Sequence, residues 1–237
     1  MQAVILAGGL GTRLWPLTKE IPKPMAPVAG APYLEHQLRL LEKQGITEIL
    51  LLTGYLGEQI EDYFGDGSPF GLSIRYSRES APIGTGGALR EATALLASEF
   101  LVIYGDSLLP MDYHSVMAEL TRAEGVLVVY DNRHSDTSVD NNIALDDEGF
   151  VSRYAKGTRD PELKFVDAGV LAFRRSVLER IPEDGVVSLE KEVYPELIKR
   201  RQLIGLETRQ RFFDIGTPER LRAIEKFLLH DYHANAV

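Results

Sequence analysis

The chain has 237 residues, enough to bury roughly 70% of its extended-chain surface. A net charge of −9, with 44% hydrophobic and 26% charged residues, fits a globular chain and argues against a nucleic-acid partner, which needs a basic surface. The absence of cysteine excludes disulfides, thiolate catalysis and cysteine–zinc sites, and no apolar run approaches the ~18 residues of a membrane helix.

The opening "MQAVILAGG" has no basic leader and enters structure directly, so a cytoplasmic protein without signal peptide or membrane partner is expected. Ala3–Ala7 reads as a buried strand. Tyr33–Gly45 has helical spacing and ends on a glycine cap. Glu48–Thr53 is the next strand, Leu56–Gly65 a short helix and Leu72–Ser77 an alternating strand. Gly86–Ala97 reads as helix and Phe100–Asp106 as a buried strand ending in an acid. "YHSVMAELTRAEG" and "VLVVYD" repeat the helix–strand order up to Asp131. This alternation, with near-continuous apolar strands, predicts a parallel α/β sheet covered on both faces.

The pattern then changes. "NRHSDTSVDNN" is a polar loop, and "IALDDEGFVSRYAKG" predicts two short strands joined at Asp147-Glu148-Gly149. Phe165–Phe173 is a further strand. Ser188–Arg200 and Pro218–Asp231 read as helices, the latter with proline where a first helical position tolerates it. No linker, repeat or low-complexity segment separates the halves. A single domain over 1–237 is expected, with one lobe at 1–131 and a second at 132–237 around a cleft.

The chemistry concentrates in "VILAGGLGTRLWPLTKEIPKPM" (Val4–Met25). Ligands of open α/β sheets bind beyond the carboxyl ends of the strands, and "GGLGTR" follows the first strand. Its glycines let backbone N–H groups face an oligophosphate, and Arg13 can hold phosphate oxygens in bidentate fashion. The competing reading is a glycine-rich turn with a surface arginine. A dinucleotide fingerprint fails, because Leu14 stands at the third glycine position and no acid ends the second strand; a P-loop is absent. Lys23 lies between Pro22 and Pro24, which predicts a stiff, extended setting that aims the ammonium at a phosphoryl group.

These residues also carry a resemblance. "GLGTRLWPLT" followed by "PKPM" resembles the signature of the sugar-1-phosphate nucleotidyltransferases. "PIGTGGALREA" (Pro82–Ala92) resembles the family's base- and ribose-contacting loop, "YGD" with Asp106 its metal-binding strand end, "FVDAGVLAF" its sugar-contacting strand and "FFDIGTPERL" its second metal motif. "LAGG" resembles thymidylyl-, guanylyl- and cytidylyltransferases more than many uridylyl ones, and "PKPMAPV", "GTGGAL" and "SLE…P…L" in a short chain most resemble heptose and mannose 1-phosphate guanylyltransferases.

The resemblance implies a Rossmann-like three-layer α/β sandwich with a central mixed, mostly parallel sheet. It implies transfer of a nucleoside monophosphate from an NTP to a sugar 1-phosphate, with in-line attack on the α-phosphorus and loss of pyrophosphate. The partners are then the NTP and the sugar 1-phosphate; a homodimer is allowed, but no motif demands it. By matched motif, Arg13 steadies the pyrophosphate, Lys23 holds the attacking phosphate, and Asp106 and Asp214 share Mg2+. Leu6, Ala7, Gly8, Gly9, Gly11, Thr12, Arg13, Gly84, Thr85, Gly86, Gly87 and Asp106 are the implied nucleotide contacts. Lys23, Asn142, Lys156, Asp167, Ala168, Gly169 and Glu190 are the implied sugar-phosphate contacts. Alone, Asp106 and Asp214 also read as turn residues, Gly84–Gly87 as a helix-initiating loop, and Glu190 as an exposed helix carboxylate.

The departures from the family pattern fall on the sugar side: Asn141-Asn142 for Tyr-Gly, Ala155 for a glutamate, and Asp167 for an asparagine. They point to an uncommon sugar. Uridylyl, thymidylyl or cytidylyl transfer, and a non-catalytic nucleotide-sugar sensor, remain the alternatives. Retention of Arg13, Lys23, Asp106 and Asp214 counts against the sensor, and "YGDSL" is not the D-x-D motif of a glycosyltransferase. His36, His114, His134, His230 and His233 lack metal-ligand spacing. Trp15 is expected to pack the phosphate loop.

Overall fold

The structure, a computed structural model, describes residues 1–133, 137–158 and 160–229. β1 (Gln2–Leu6) runs into the glycine loop, and the hairpin of β2 (Pro27–Val28) and β3 (Ala31–Pro32) leads to α1 (Tyr33–Lys43). Then come β4 (Glu48–Thr53), α2 (Gly57–Phe64), β5 (Ser73–Arg78), α3 (Gly84–Glu91) and β6 (Glu99–Tyr104). β7 (Ser107–Leu108) and α4 (Tyr113–Ala118) precede β8 (Gly125–Asp131). The second half adds β9 (Ile143–Leu145), β10 (Val151–Tyr154), β11 (Phe165–Arg174), α5 (Tyr194–Lys199), β12 (Leu203–Thr208), β13 (Phe213–Asp214) and α6 (Pro218–Phe227).

Nine of these strands form one mixed sheet in the order β10-β9-β11-β6-β1-β4-β5, with β8 paired to β11 and β12 to β8. β1, β4, β5 and β6 are parallel neighbours. β11 runs against β6, β8 and β9, while β12 is parallel to β8, so seven strands share one direction and β10 and β11 oppose it. The sheet is therefore mixed and mostly parallel.

Strand alternation builds a core on each face. Ala3, Ile5, Leu101, Ile103, Val126 and Val128 pack under Leu34 and Leu38 of α1, Ile60 and Phe64 of α2, Val116 of α4 and Ile224 of α6. Val4, Phe100, Val102, Leu127 and Val129 pack against Leu89 of α3 and Tyr194 and Leu197 of α5. Because both faces are covered, the strands read as unbroken apolar runs.

Several boundaries differ from expectation. α3 starts at Gly84 and gives way to a 3₁₀ turn at Thr93–Leu95. The helix expected from Ser188 opens with a π turn at Leu189–Val193 before α5, where Pro195 has no N–H to continue the α-helical ladder. β12 was not expected at all. The predicted end of the last helix, 230–231, lies outside the described residues, as do His134, His230 and His233. His36 and His114 bond the backbone carbonyls of Val28 and Gln44. Among the described residues no helix is long and apolar enough to cross a membrane.

Candidate active site

The carboxyl ends of β1, β4, β5 and β6 meet at a cavity of about 600 Å³. β1 supplies Leu6 and the loop to Arg13, β5 is followed by Glu79, and β6 ends at Tyr104, followed by Gly105 and Asp106. Thr85 and Ala88 of α3 line it as well, together with Lys156 and Glu190 from the second half of the chain.

Gly11 sets the geometry of the first wall. Its φ of +64° caps the 3₁₀ turn Thr12–Leu14, and its carbonyl accepts the Thr18 hydroxyl at 2.8 Å. A Cβ at this position would stand 2.9 Å from the Lys23 Cβ, so the bare backbone lets the two cationic segments close on each other. Pro22 is extended, but Lys23, which its place before Pro24 predicts to be extended, is not: it begins a single 3₁₀ turn, Lys23–Met25, held by the Met25 N–H on Pro22 and the Ala26 N–H on Lys23. Only 9% of Lys23 is exposed, and its ammonium forms an ion pair with Asp106. The lysine assigned to a substrate phosphate and the aspartate assigned to metal are thus each other's ion-pair partners. Trp15 does not pack into the loop; it is 53% exposed, with the Lys19 ammonium 5.2 Å from its ring centre.

Asp106 and Asp214 come together through the antiparallel pairing of β7 with the distant β13. Asp214 is in register with Ser107, and the Ile215 N–H donates to the Asp106 carbonyl at 3.1 Å. Burial, followed by the charges of Asp106 and Asp214, pushes the Tyr33 phenol well above its ordinary value, so both carboxylates act on one buried ring. Arg220 pairs with Asp214 at 3.2 Å, and a Cβ on Gly216 would lie 3.7 Å from the Arg13 guanidinium. Among the described residues no group of three or more His, Cys, Asp or Glu gathers. Two hard oxygen donors without a closed protein cage suit Mg2+, which keeps waters and takes phosphate oxygens.

Lys156 donates to Glu190 at 3.1 Å, and the Tyr104 and Ser188 hydroxyls donate to the same carboxylate at 3.1 and 2.7 Å. Burial acts to raise the Glu190 pKa, but the Lys156 charge and the Ser188 hydrogen bond outweigh it and hold the carboxyl below its usual value. Glu190 is therefore a cavity acid, not an exposed helix carboxylate.

Six residues expected to touch substrate lie outside the cavity wall. The N–H groups of Gly86 and Gly87 both donate to the Val187 carbonyl, at 2.8 and 3.3 Å. Gly84 does line the cavity, yet a Cβ on it (φ +81°) would also stand 2.3 Å from that oxygen, so the three glycines of "GTGG" pack closely on the 187 segment. Asn142 is buried and its Oδ1 accepts the Asp167 N–H at 3.0 Å, tying β9 to β11. Asp167 accepts from the Tyr154 hydroxyl at 3.0 Å and the Gly169 N–H at 2.9 Å; Ala168 is fully buried, and Gly169 backs onto Ser107.

Burial pushes the Asp167 carboxyl above its ordinary range, against the Lys156 charge and the Gly169 N–H. A raised folded-state value gives stability that is full below the unfolded value of about 3.9 and lost as pH rises through the folded one. Asp167→Asn, which keeps an acceptor for Gly169, is therefore expected to melt above the wild type at neutral pH. The difference should shrink as pH falls toward and below the unfolded value of about 3.9, where the buried carboxyl takes up its proton. Paired melting curves check this, and a pH-independent difference would refute it.

Glu79 and Tyr104 were missed. The Glu79 Oε1 would be 2.8 Å from a Cβ on either Gly8 or Gly54, so two glycines make room for this carboxylate. Burial raises its pKa, with the Ile83 N–H opposing and Glu91 adding. Its signal in the sequence was an acid just past a predicted strand, where ligands of α/β sheets bind.

The nucleotidyl transferase family profile matches residues 2–231. A mannose-1-phosphate guanylyltransferase of Mycobacterium tuberculosis is 35% identical over 92% of this chain, which spans 62% of that relative's length. A D-glycero-alpha-D-manno-heptose 1-phosphate guanylyltransferase of Aneurinibacillus thermoaerophilus is 33% identical over 97% of this chain and 99% of its own. The crystal structure of HddC from Yersinia pseudotuberculosis complexed with GMP-PN superposes with a TM-score of 0.81, at 29% identity over 95% of this chain and 99% of that one. The chain belongs to the nucleotidyl transferase family.

Proposed function

We propose that the protein transfers a guanylyl group from GTP to a mannose- or heptose-type sugar 1-phosphate. The observation that carries this reading is that Glu79, Arg13, Lys23, Asp106, Lys156 and Glu190 line one cavity. Guanine offers two donors on one edge, N1–H and the 2-amino group, and a carboxylate accepts both. Uracil and thymine offer one donor between two acceptors, a poorer match to Glu79. The guanylyltransferase relatives support the same choice.

In this reading residues 1–131 bind the nucleotide, and Lys156 and Glu190 of the 132–237 half bind the sugar. Arg13 steadies the departing pyrophosphate. Lys23 neutralises the incoming sugar phosphate, so that its oxygen can approach the α-phosphorus opposite the pyrophosphate. Glu190, held ionised, accepts from sugar hydroxyls while Lys156 offers a charge beside it. A magnesium ion on Asp106 and Asp214 would supply further charge neutralisation on the phosphates. No protein nucleophile takes part; positioning and fixed charge do the work.

Mass spectrometry of a reaction holding GTP, Mg2+ and either mannose 1-phosphate or the heptose 1-phosphate is expected to show the GDP-sugar. Absence of product with every sugar 1-phosphate would favour the sensor reading. Glu79→Gln presents one acceptor and one donor and is expected to lower kcat/KM for GTP by about 10–100-fold, with a smaller loss for UTP. Equal losses for GTP and UTP would remove Glu79 from base selection.

A further inference from the structure

Gln37 of α1 lies outside the cavity and is 3% exposed. Its Nε2 donates to two backbone carbonyls, Tyr104 at 2.9 Å and Ser107 at 2.5 Å. These carbonyls flank Gly105 and Asp106, so one amide spans the turn that carries the aspartate. The other side of the turn is fixed as well. The Gly105 N–H donates to the Leu6 carbonyl at 3.0 Å, and a Cβ on Gly105 would meet that oxygen at 2.7 Å. Gly169 closes in beneath Ser107.

The same amide carries a cost. The Gln37 Oε1 is buried with no hydrogen-bond partner, and an orphaned buried acceptor destabilises a fold. The residue spends stability to hold one turn from both ends.

Resting on the transferase reading above, we propose that Gln37 is a positioning residue: it acts through the Tyr104–Ser107 turn to aim the Asp106 carboxylate at the bound cation and phosphates. Residues that orient metal ligands from behind tune metal affinity, and losing one typically costs about 10–100-fold.

Mn2+ binding followed by electron paramagnetic resonance tests this without turnover. Gln37→Met keeps the side-chain length and removes both donors. It is expected to weaken Mn2+ binding by about 10–100-fold, with GTP binding in the absence of metal unchanged. kcat at limiting Mg2+ should fall in parallel and recover at high Mg2+. Gln37→Asn, too short to reach both carbonyls, disturbs packing differently and should shift Mn2+ affinity in the same direction, which keeps the test open if the methionine variant does not fold. Unchanged Mn2+ affinity in a folded variant would overturn the proposal. So would an equal loss of metal-free GTP binding, or a wild-type protein that binds no Mn2+. A wild type that transfers no guanylyl group while the Mn2+ shift holds would sink the transferase reading alone.

Discussion

Lys23→Met is expected to lower kcat by about 10²–10³-fold, the loss seen when one fixed positive group is removed from a developing anion. The ammonium is buried, fixed on a one-turn segment and backed by Gly11, so no neighbour can substitute without rebuilding the loop. Methionine keeps the volume. Asp106 loses its counter-ion, but about a third of its side chain is exposed and water takes over part of that charge. The melting temperature should therefore move far less than the rate. Steady-state kinetics beside a melting curve checks both, and near-normal kcat would contradict the role given to Lys23.

Asp106→Asn should cost about 10³-fold in kcat, because a phosphate-bound cation is worth several kcal/mol at about 1.36 kcal/mol per tenfold. The same substitution has an opposite effect on binding. Asp106 is the ion-pair partner of Lys23, so its neutralisation releases the ammonium. Metal-free affinity for a sugar 1-phosphate should rise in Asp106→Asn while turnover collapses. Calorimetric titration without metal measures the first and initial rates the second. A variant that loses both would mean that Asp106 holds the sugar phosphate's environment together in some other way.

The sheet was legible because its strands are buried on both faces. "EILLLT" matches β4 residue for residue, and "VLVVYD" lies within β8. β12 was not, because Gly205 interrupts its apolar run; that glycine is needed where Leu145 packs 2.3 Å from a Cβ built there. The phosphate loop was legible through spacing and resemblance. What escaped were relations between distant residues. Lys23 and Asp106 are 83 positions apart, and nothing in "PKP" announces an acid partner. Gly86 and Gly87 looked like contacts for a ribose, whereas Val187, about a hundred positions later, occupies their N–H groups. Gln37 reads as one more polar residue on a helix, and only the fold shows the two carbonyls it spans.

The proposed transfer needs Glu79 to select guanine, Arg13, Lys23 and Asp106 to hold the phosphates, and Lys156 with Glu190 to hold the sugar, all around one cavity. Its most direct test is the initial rate of pyrophosphate release by the wild-type protein with GTP, UTP, dTTP and CTP, each combined with mannose 1-phosphate and with D-glycero-α-D-manno-heptose 1-phosphate. The account predicts Mg2+-dependent release that requires the sugar phosphate and is fastest with GTP. Release that ignores the sugar phosphate, a clear preference for a pyrimidine nucleotide, or no release with any pair would contradict it.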